Sequence, residues 1–465
     1  MKAGKQQTAM LVVGGLLMLW IGAYAPVSFM QHFIVFVLAC FVGVITPTLI
    51  IGGVLGLGSH IPYLISMALI VSGVGTFIQA KRLGPIGAGM ICVQGTSFAF
   101  LGSILAAGFI AKSQGGGPEE ILSLIFGVCF LGAFIEIFLS QMLVKMKKII
   151  TPLVTGIVIT IIGISLIKVG MTDLAGGFKA ADFGSLQNLG LGFTVLAIII
   201  ALNRSANPWL RLSSIVIGLL AGMLIALFMG KVDFSSLGSQ PWVSIPIPFK
   251  YGFSFDWVAF LPIALIYFIT AIESAGDITA NCAISQQEIK GDNYLKRVRG
   301  GVLADGVNSL IAAVFNTFPN TTFSQNNGVI QLTGVASRYI GYYIALILVV
   351  LGLFPILGAV LQQIPKPVLG GATLVMFGTV AAAGFKIIAS ETLNRRKLLI
   401  MAVSFGVGLG VTMVPDLLQH APKLVQNIFG SAVTSGGLVA ILLSLLLPEQ
   451  PSSVAAQLKP STQQS

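Results

Sequence analysis

The sequence predicts an all-α polytopic membrane protein of about fourteen transmembrane helices in a 7+7 inverted repeat, interrupted by two short strand-helix breaks. Three observations carry that expectation. Of the 465 residues, 55% are hydrophobic and 9% charged, so 26 basic and 15 acidic side chains cannot coat a water-soluble globule of this length, whereas a lipid-facing surface needs hardly any. Basic residues recur in every second loop between apolar runs. Breaks rich in Gly and Pro occur twice, in the same order, once in each half. The 55 glycines and 20 prolines suit membrane helices that pack closely and break at functional places. A net charge of +11 would suggest nucleic acid if it covered a folded face, but it lies in short loops, which excludes that partner. Cys40, Cys92, Cys129 and Cys282 sit singly in apolar runs and read as buried packing, and with His32, His60 and His420 scattered, no metal or cofactor motif is expected.

A membrane helix needs about 20 mostly apolar residues. In chain order the candidate runs are Phe33–Leu55, Ile61–Gln79, Gly95–Ala111, Ile121–Val144, Ile149–Gly170, Leu189–Leu202 and Leu212–Gly230. After the midpoint come Trp257–Ala280, Gly300–Asn316, a short run Asn326–Thr333, Tyr339–Gln362, Val368–Ala389, Leu398–Val411 and Ser431–Leu447. Their boundaries carry Lys81 and Arg82, then Lys145, Lys147 and Lys148, then Arg204 and Arg211, then Lys290 to Arg299, then Arg338, then Arg395 to Lys397. By the positive-inside rule these loops are cytoplasmic, and Lys112–Glu120, Lys168–Asn188 and Lys231–Asp256 are outside. The domain reading is an apolar N-terminal segment over residues 1–32, a first repeat over 33–230, a second over 257–448 and a polar cytoplasmic tail over 449–465. Within the first of these, Met10–Ala25 follows Lys2 and Lys5; the charge rhythm favours an interfacial or partly inserted helix ending near Pro26.

The first break is Gly84-Pro85, the extended-looking Ile86–Val93, then Gln94-Gly95-Thr96-Ser97 and an apolar helix. The second is Asn316 to Asn320, Thr321-Thr322-Phe323, then Ser324-Gln325-Asn326-Asn327-Gly328 and a short helix. In both, a strand-like stretch is expected to run through a polar cluster of N-cap types into a helix that starts inside the membrane. Ile150 to Gly156 parallels Pro365 to Gly371, with proline and glycine four apart in each. Because seven helices per half is odd, the second copy enters from the opposite side. Paired broken helices in the two halves are a sequence pointer to a transport site.

Glu136, Glu273, Asp277 and Asp305 fall within predicted spans, where each costs several kcal/mol unless paired, protonated or facing a cavity. Glu273 and Asp277, four apart, share one helix face, so one of them is expected to hold a proton that the pair can exchange. Asp305 is expected about one turn into its helix near the cytoplasmic side, with capping, inter-helix bonding and coupling all open. Glu136, alone among aliphatics, reads as structural, bonded between helices. Gln325, Asn326 and Asn327 place amide donors and acceptors at a helix start, which suits a planar heterocycle with carbonyl and NH groups, and Phe98 and Phe323 are available to stack on it.

The run Gln325-Asn326-Asn327-Gly328-Val329-Ile330-Gln331-Leu332-Thr333-Gly334 resembles the signature of the nucleobase/ascorbate transporter family, the xanthine and uracil permeases, which begins Gln/Glu-Asn-x-Gly and ends in Thr. Glu273 to Asp277 is similar to that family's Glu-x-x-Gly-Asp, and Gln94 to Phe100 to its third-helix motif; the resemblance extends from about Phe33 to Pro448 and looks nearest to bacterial xanthine permeases. It implies a fourteen-helix inverted repeat divided into core and gate domains, commonly dimeric, that sits in the cytoplasmic (inner) membrane and carries purines with protons by alternating access. It also implies that Glu273 and Gln325 hold the base, that Asn326 sets affinity, that Asp277 and Asp305 serve coupling or architecture, and that Ser97, at the family's polar position, influences which purine fits. The family's Gln-His pair is matched by Gln31-His32, which adds His32 to the proton-coupling set, although it stands about one turn further from Thr46-Pro47 than the pattern, with Phe36 nearer the family position. The polar N-terminal arm of the family is replaced by Met10–Ala25. The expected function is a proton-coupled symporter importing xanthine, urate or guanine, without cofactor or metal. A uracil permease and a sulfate-type anion carrier of the same fold are the alternatives. A membrane enzyme finds no Ser-His-Asp, metal or nucleotide motif at workable spacing.

Overall fold

The computed structural model describes residues 27–143, 151–207, 210–211, 213–232 and 243–448, without the side chains of residues 27–36, 38, 39, 332 and 415. Met10–Ala25, the tail 449–465 and the side chain of His32 lie outside the described residues.

In lipid a helix satisfies every internal backbone N–H and C=O, and the apolar runs take that form. The first half comprises α1 (Val27–Leu55), α2 (Ile61–Lys81), β1 (Gln94–Thr96), α3 (Leu101–Ser113), α4 (Pro118–Met142), α5 (Pro152–Leu174), α6 (Leu186–Asn203) and α7 (Ser214–Phe228). The second comprises α8 (Trp257–Ile284), α9 (Asp292–Val314), β2 (Asn320–Thr322), α10 (Gln325–Thr333), α11 (Arg338–Gly352), α12 (Pro355–Gln362), α13 (Lys366–Ala389), α14 (Arg395–Met413), α15 (Lys423–Phe429) and α16 (Ala432–Leu446). Among the described residues, seven helices are long and apolar enough to span a bilayer alone, and the bent pairs α11/α12 and α15/α16 bring the number to nine. With α1, α3, α7, α9 and α10, each half supplies seven elements.

Several boundaries differ from the sequence reading. The run expected as one span over Tyr339–Gln362 is broken before Pro355 and bent by 77°, because proline removes a backbone donor and its ring collides with the preceding turn. A bend of 79° likewise precedes α16, whose partner α15 the hydropathy pattern did not mark. Helix α9 begins at Asp292, so Lys296, Arg297 and Arg299 lie on its first turns and Asp305 stands about 20 Å along it, not one turn in.

The duplicated Pro-Gly motifs open α5 and α13, each with proline in the first helical turn. These two helices pack on each other in opposite directions. Residues 156, 163 and 170 meet 388, 381 and 374 in reverse order, and a Cβ on Gly163 would stand 2.4 Å from the Ala381 backbone nitrogen. Backbones approach this closely only where glycine lines the seam. Helices α1–α4 and α8–α12 pack mainly among themselves, as do α5–α7 with α13–α16; the main contacts between the two bodies run through α8 and α1. Arg82, Arg297 and Arg338, from three basic clusters with one expected sidedness, meet around two adjoining clefts of about 270 and 410 Å³ at one end of the molecule. At the other end the His60 ring nitrogen and the Tyr251 hydroxyl are 3.0 Å apart.

Candidate substrate site

The two breaks meet. Strands β1 and β2 pair antiparallel, with Gln94 opposite Thr322, Gly95 opposite Thr321 and Thr96 opposite Asn320. The pairing extends outward, since Phe323 N–H donates to Val93 O at 2.9 Å and Ser97 N–H to Pro319 O at 2.8 Å. The first strand was expected over Ile86–Val93; it forms at Gln94–Thr96 instead, because its partner is the other half's strand and not a local hairpin. Gln94 is consequently a strand residue. The helical turn after β1 starts at Phe98, and neither Ser97 nor Ser324 caps its helix with a side-chain bond.

Asp305 on α9 lies under this crossing and is fully buried. One carboxylate oxygen accepts from Gln79 Nε2 at 2.6 Å and Gln94 Nε2 at 2.8 Å; the other accepts from Ser274 Oγ at 2.5 Å and Thr322 N–H at 3.2 Å. The Thr321 and Thr322 hydroxyls complete the ring at 3.4 and 3.2 Å. Gln94 Oε1 accepts in turn from Asn308 Nδ2 at 3.2 Å. Carboxylate, amides and hydroxyls thus fix α2, α8, α9 and both strands to one point.

Glu273 and Asp277 face a different environment. Both are buried on α8, which packs on α10, β2 and the turn before α3. Glu273 Oε2 and Asp277 Oδ2 are enclosed, and neither has a hydrogen-bond partner among the described residues. The Ser324 side chain is the polar neighbour of Asp277. Gln325, at the first position of α10, is half-buried and its amide bonds to no described residue. Asn326 donates to Phe323 O at 3.3 Å while its own oxygen has no partner, and Asn327 Nδ2 donates to Asp277 O at 3.3 Å. Asn327 is therefore a tie between α10 and α8.

The aromatic pair divides. Phe98 makes an edge contact with Phe377 of α13, ring centres 5.4 Å apart, across the seam between the two bodies. Phe323, expected to stack on a ligand, is instead wedged between α1 and β1: a Cβ on Gly95 would stand 2.3 Å from its ring and one on Gly43 2.8 Å. The missing side chains of both glycines make the room it fills. Ser97 is buried with its hydroxyl unpaired. Glu136, expected to bond between helices, is buried in α4 with an unpaired oxygen. The sequence reading passed over Gln79, Asn308 and Ser274. Gln79 ends an apolar run and looked like a boundary, while Phe377 carried no signal among its apolar neighbours.

Residues 30–417 match the xanthine/uracil permease model, described as Permease family. Xanthine permease XanP of Escherichia coli (strain K12) is 48% identical over 418 residues, 89% of this chain and 90% of that protein. The chain belongs to the nucleobase/ascorbate transporter family. It is therefore related to permeases, not enzymes. Xanthine permease XanQ of the same organism is 46% identical over 415 residues, 88% of this chain and 89% of that one. The murine Solute Carrier 26 family member A9 anion transporter, in its inward-facing state, superposes with a TM-score of 0.60 at 13% identity, covering 96% of this chain and 72% of that one. This likeness extends the 7+7 inverted-repeat fold beyond the nucleobase/ascorbate transporters.

Proposed function

We propose that this nucleobase/ascorbate transporter is a proton-coupled symporter that imports a purine, xanthine before urate or guanine, across the bacterial inner membrane. The observation that carries the reading is the pair of buried, unpartnered carboxyl oxygens of Glu273 and Asp277 on α8, which packs on α10, where the Gln325 amide bonds to no described residue. A buried polar atom without a partner is costly, so a cluster of them at a helix start is a place where a ligand supplies the missing bonds. A xanthine ring offers adjacent NH groups to Glu273 and a carbonyl with an NH to the Gln325 amide, while Phe98 lies against one face and Ser97 sets the room at its edge. The start of α10 adds free backbone N–H groups for a second carbonyl.

Asp277, one turn from Glu273, is the candidate proton partner: a buried carboxyl with one oxygen left without a donor is best carried into the membrane as the neutral acid. Release to the other side follows as the body containing α8 and α10 moves against the body containing α5 and α13, so that the base meets one aqueous phase at a time. A sulfate-type cargo is disfavoured because Glu273 would repel an anion. The test is uptake of labelled xanthine, urate, guanine and uracil by cells expressing the chain. Xanthine should accumulate, with or without sodium, and a protonophore should collapse the accumulation. Accumulation that needs sodium and survives the protonophore would overturn the coupling, and uptake of uracil alone would overturn the purine assignment.

A further inference from the structure

Every polar neighbour of the Asp305 carboxylate is a donor. Gln79 Nε2, Gln94 Nε2, the Ser274 hydroxyl, both threonine hydroxyls and the Thr322 N–H all stand within 3.4 Å of its oxygens. The Gln79 amide cannot be turned round to offer an acceptor. Gln79 Oε1 accepts from Ala88 N–H at 3.0 Å while its Nε2 also donates to Gly301 O at 2.9 Å, and Gln94 Oε1 accepts from Asn308. Flipping Gln79 would set oxygen against oxygen and N–H against N–H. A proton added to Asp305 could be accepted only by turning one of the three hydroxyls, or the Gln94 amide, from donor to acceptor, so it would displace one of these donors.

We propose that Asp305 is a permanent carboxylate that takes no part in proton transfer, and that Gln79 is the positioning residue that holds it so. The inference rests on the transport reading for its meaning, since it removes Asp305 from the coupling set and leaves that role to α8. Gln79 adds a second link. It joins Asp305 to Ala88, and its backbone oxygen accepts from Gly89 N–H at 2.8 Å, so the loop that enters β1 is tied to the same carboxylate. The titratable groups that face Asp305 are Glu273 and Asp277 on α8, Glu136 on α4 and Cys92 in that loop. None of them is a cation, so the donors alone stabilise the charge.

Infrared difference spectra of the purified protein, recorded on acidification without any base present, test this. They read protonated carboxyl groups and do not depend on what is transported. Whatever protonated-carboxyl band the wild type develops should persist at full amplitude in Asp305→Asn. Gln79→Leu, which removes one donor, should gain a component that the wild type lacks and should lose at least tenfold in xanthine uptake. A band that disappears in Asp305→Asn would overturn the proposal, as would spectra of Gln79→Leu identical to the wild type. Should Asp305→Asn fail to reach the membrane, the Gln79→Leu spectrum decides by itself. Wild-type cells that take up no xanthine would defeat the transport reading and leave the spectra unaffected.

Discussion

Asp305 and the Glu273/Asp277 pair lie on neighbouring helices, all three buried, and differ in what surrounds them. Asp305 is ringed by donors from both repeats, whereas Glu273 and Asp277 each keep an oxygen without a partner. A satisfied carboxylate cannot form a new bond without breaking an old one, so it holds elements in place. An unsatisfied one gains from any donor that arrives. The contrast separates architecture from binding within one helical layer, although a sequence shows four similar acidic residues.

The largest effect is expected at the unsatisfied site. Glu273→Gln should reach the membrane in normal amount and lose xanthine uptake by about 100-fold, the equivalent of a lost charge-assisted bond, since an amide offers one acceptor where the carboxylate has two. Wild-type uptake in that variant would erase the contrast. The aromatic pair sharpens it: Phe323→Leu should lower the stability of purified protein by about 1–2 kcal/mol with KM unchanged, whereas Phe98→Leu should raise KM and leave thermal stability near wild type. Interchanged results would place Phe323 in the site and Phe98 in the core. Gln325→Ala should raise KM for xanthine about tenfold and blur the choice among purines, while Asn327→Ala, which loses only the bond to Asp277 O, should cost about 1 kcal/mol of stability and a few-fold in uptake. Equal KM changes in both would count against Gln325 as a ligand.

The smallest effect lies on the loop before α6. There the Asn188 side chain and the Lys231 ammonium hold the Asp182 carboxyl below the usual carboxylate range. A lowered carboxyl stabilises the fold above its unfolded value, and that contribution fades only as pH falls through the lowered one. Asp182→Asn should therefore leave uptake unchanged between about pH 6 and 8 and remove only a little stability, because the pair is exposed. A pH-dependent loss within that window would show the loop to be part of the transport path.

The signature Gln325 to Gly334, the Glu273 to Asp277 run and the spacing of the two breaks pointed to α8 and α10 as the candidate site from the sequence alone, since each is a short local pattern of polar residues in an apolar background. The surroundings of Phe323 and Asn327 were not legible in the sequence for one reason. Each is decided by a contact with an element that lies far off in the chain: Gly43 and Gly95 for the phenylalanine, the backbone of Asp277 for the asparagine. Gln79 escaped notice because a glutamine at the end of an apolar run looks the same whether it faces headgroups or a buried aspartate.

Composition and the alternation of basic loops were enough to determine a many-helix membrane protein, because the bilayer accepts so few charges that their positions must follow the turns. Duplicated proline and glycine patterns were enough to determine a repeat. Only the tertiary structure decided that the two strands pair with each other, that α5 and α13 close along a glycine seam, and which carboxylate is satisfied. Those outcomes depend on which atoms from separate repeats come within 3 to 4 Å, and a buried polar group takes its role from the partners found there.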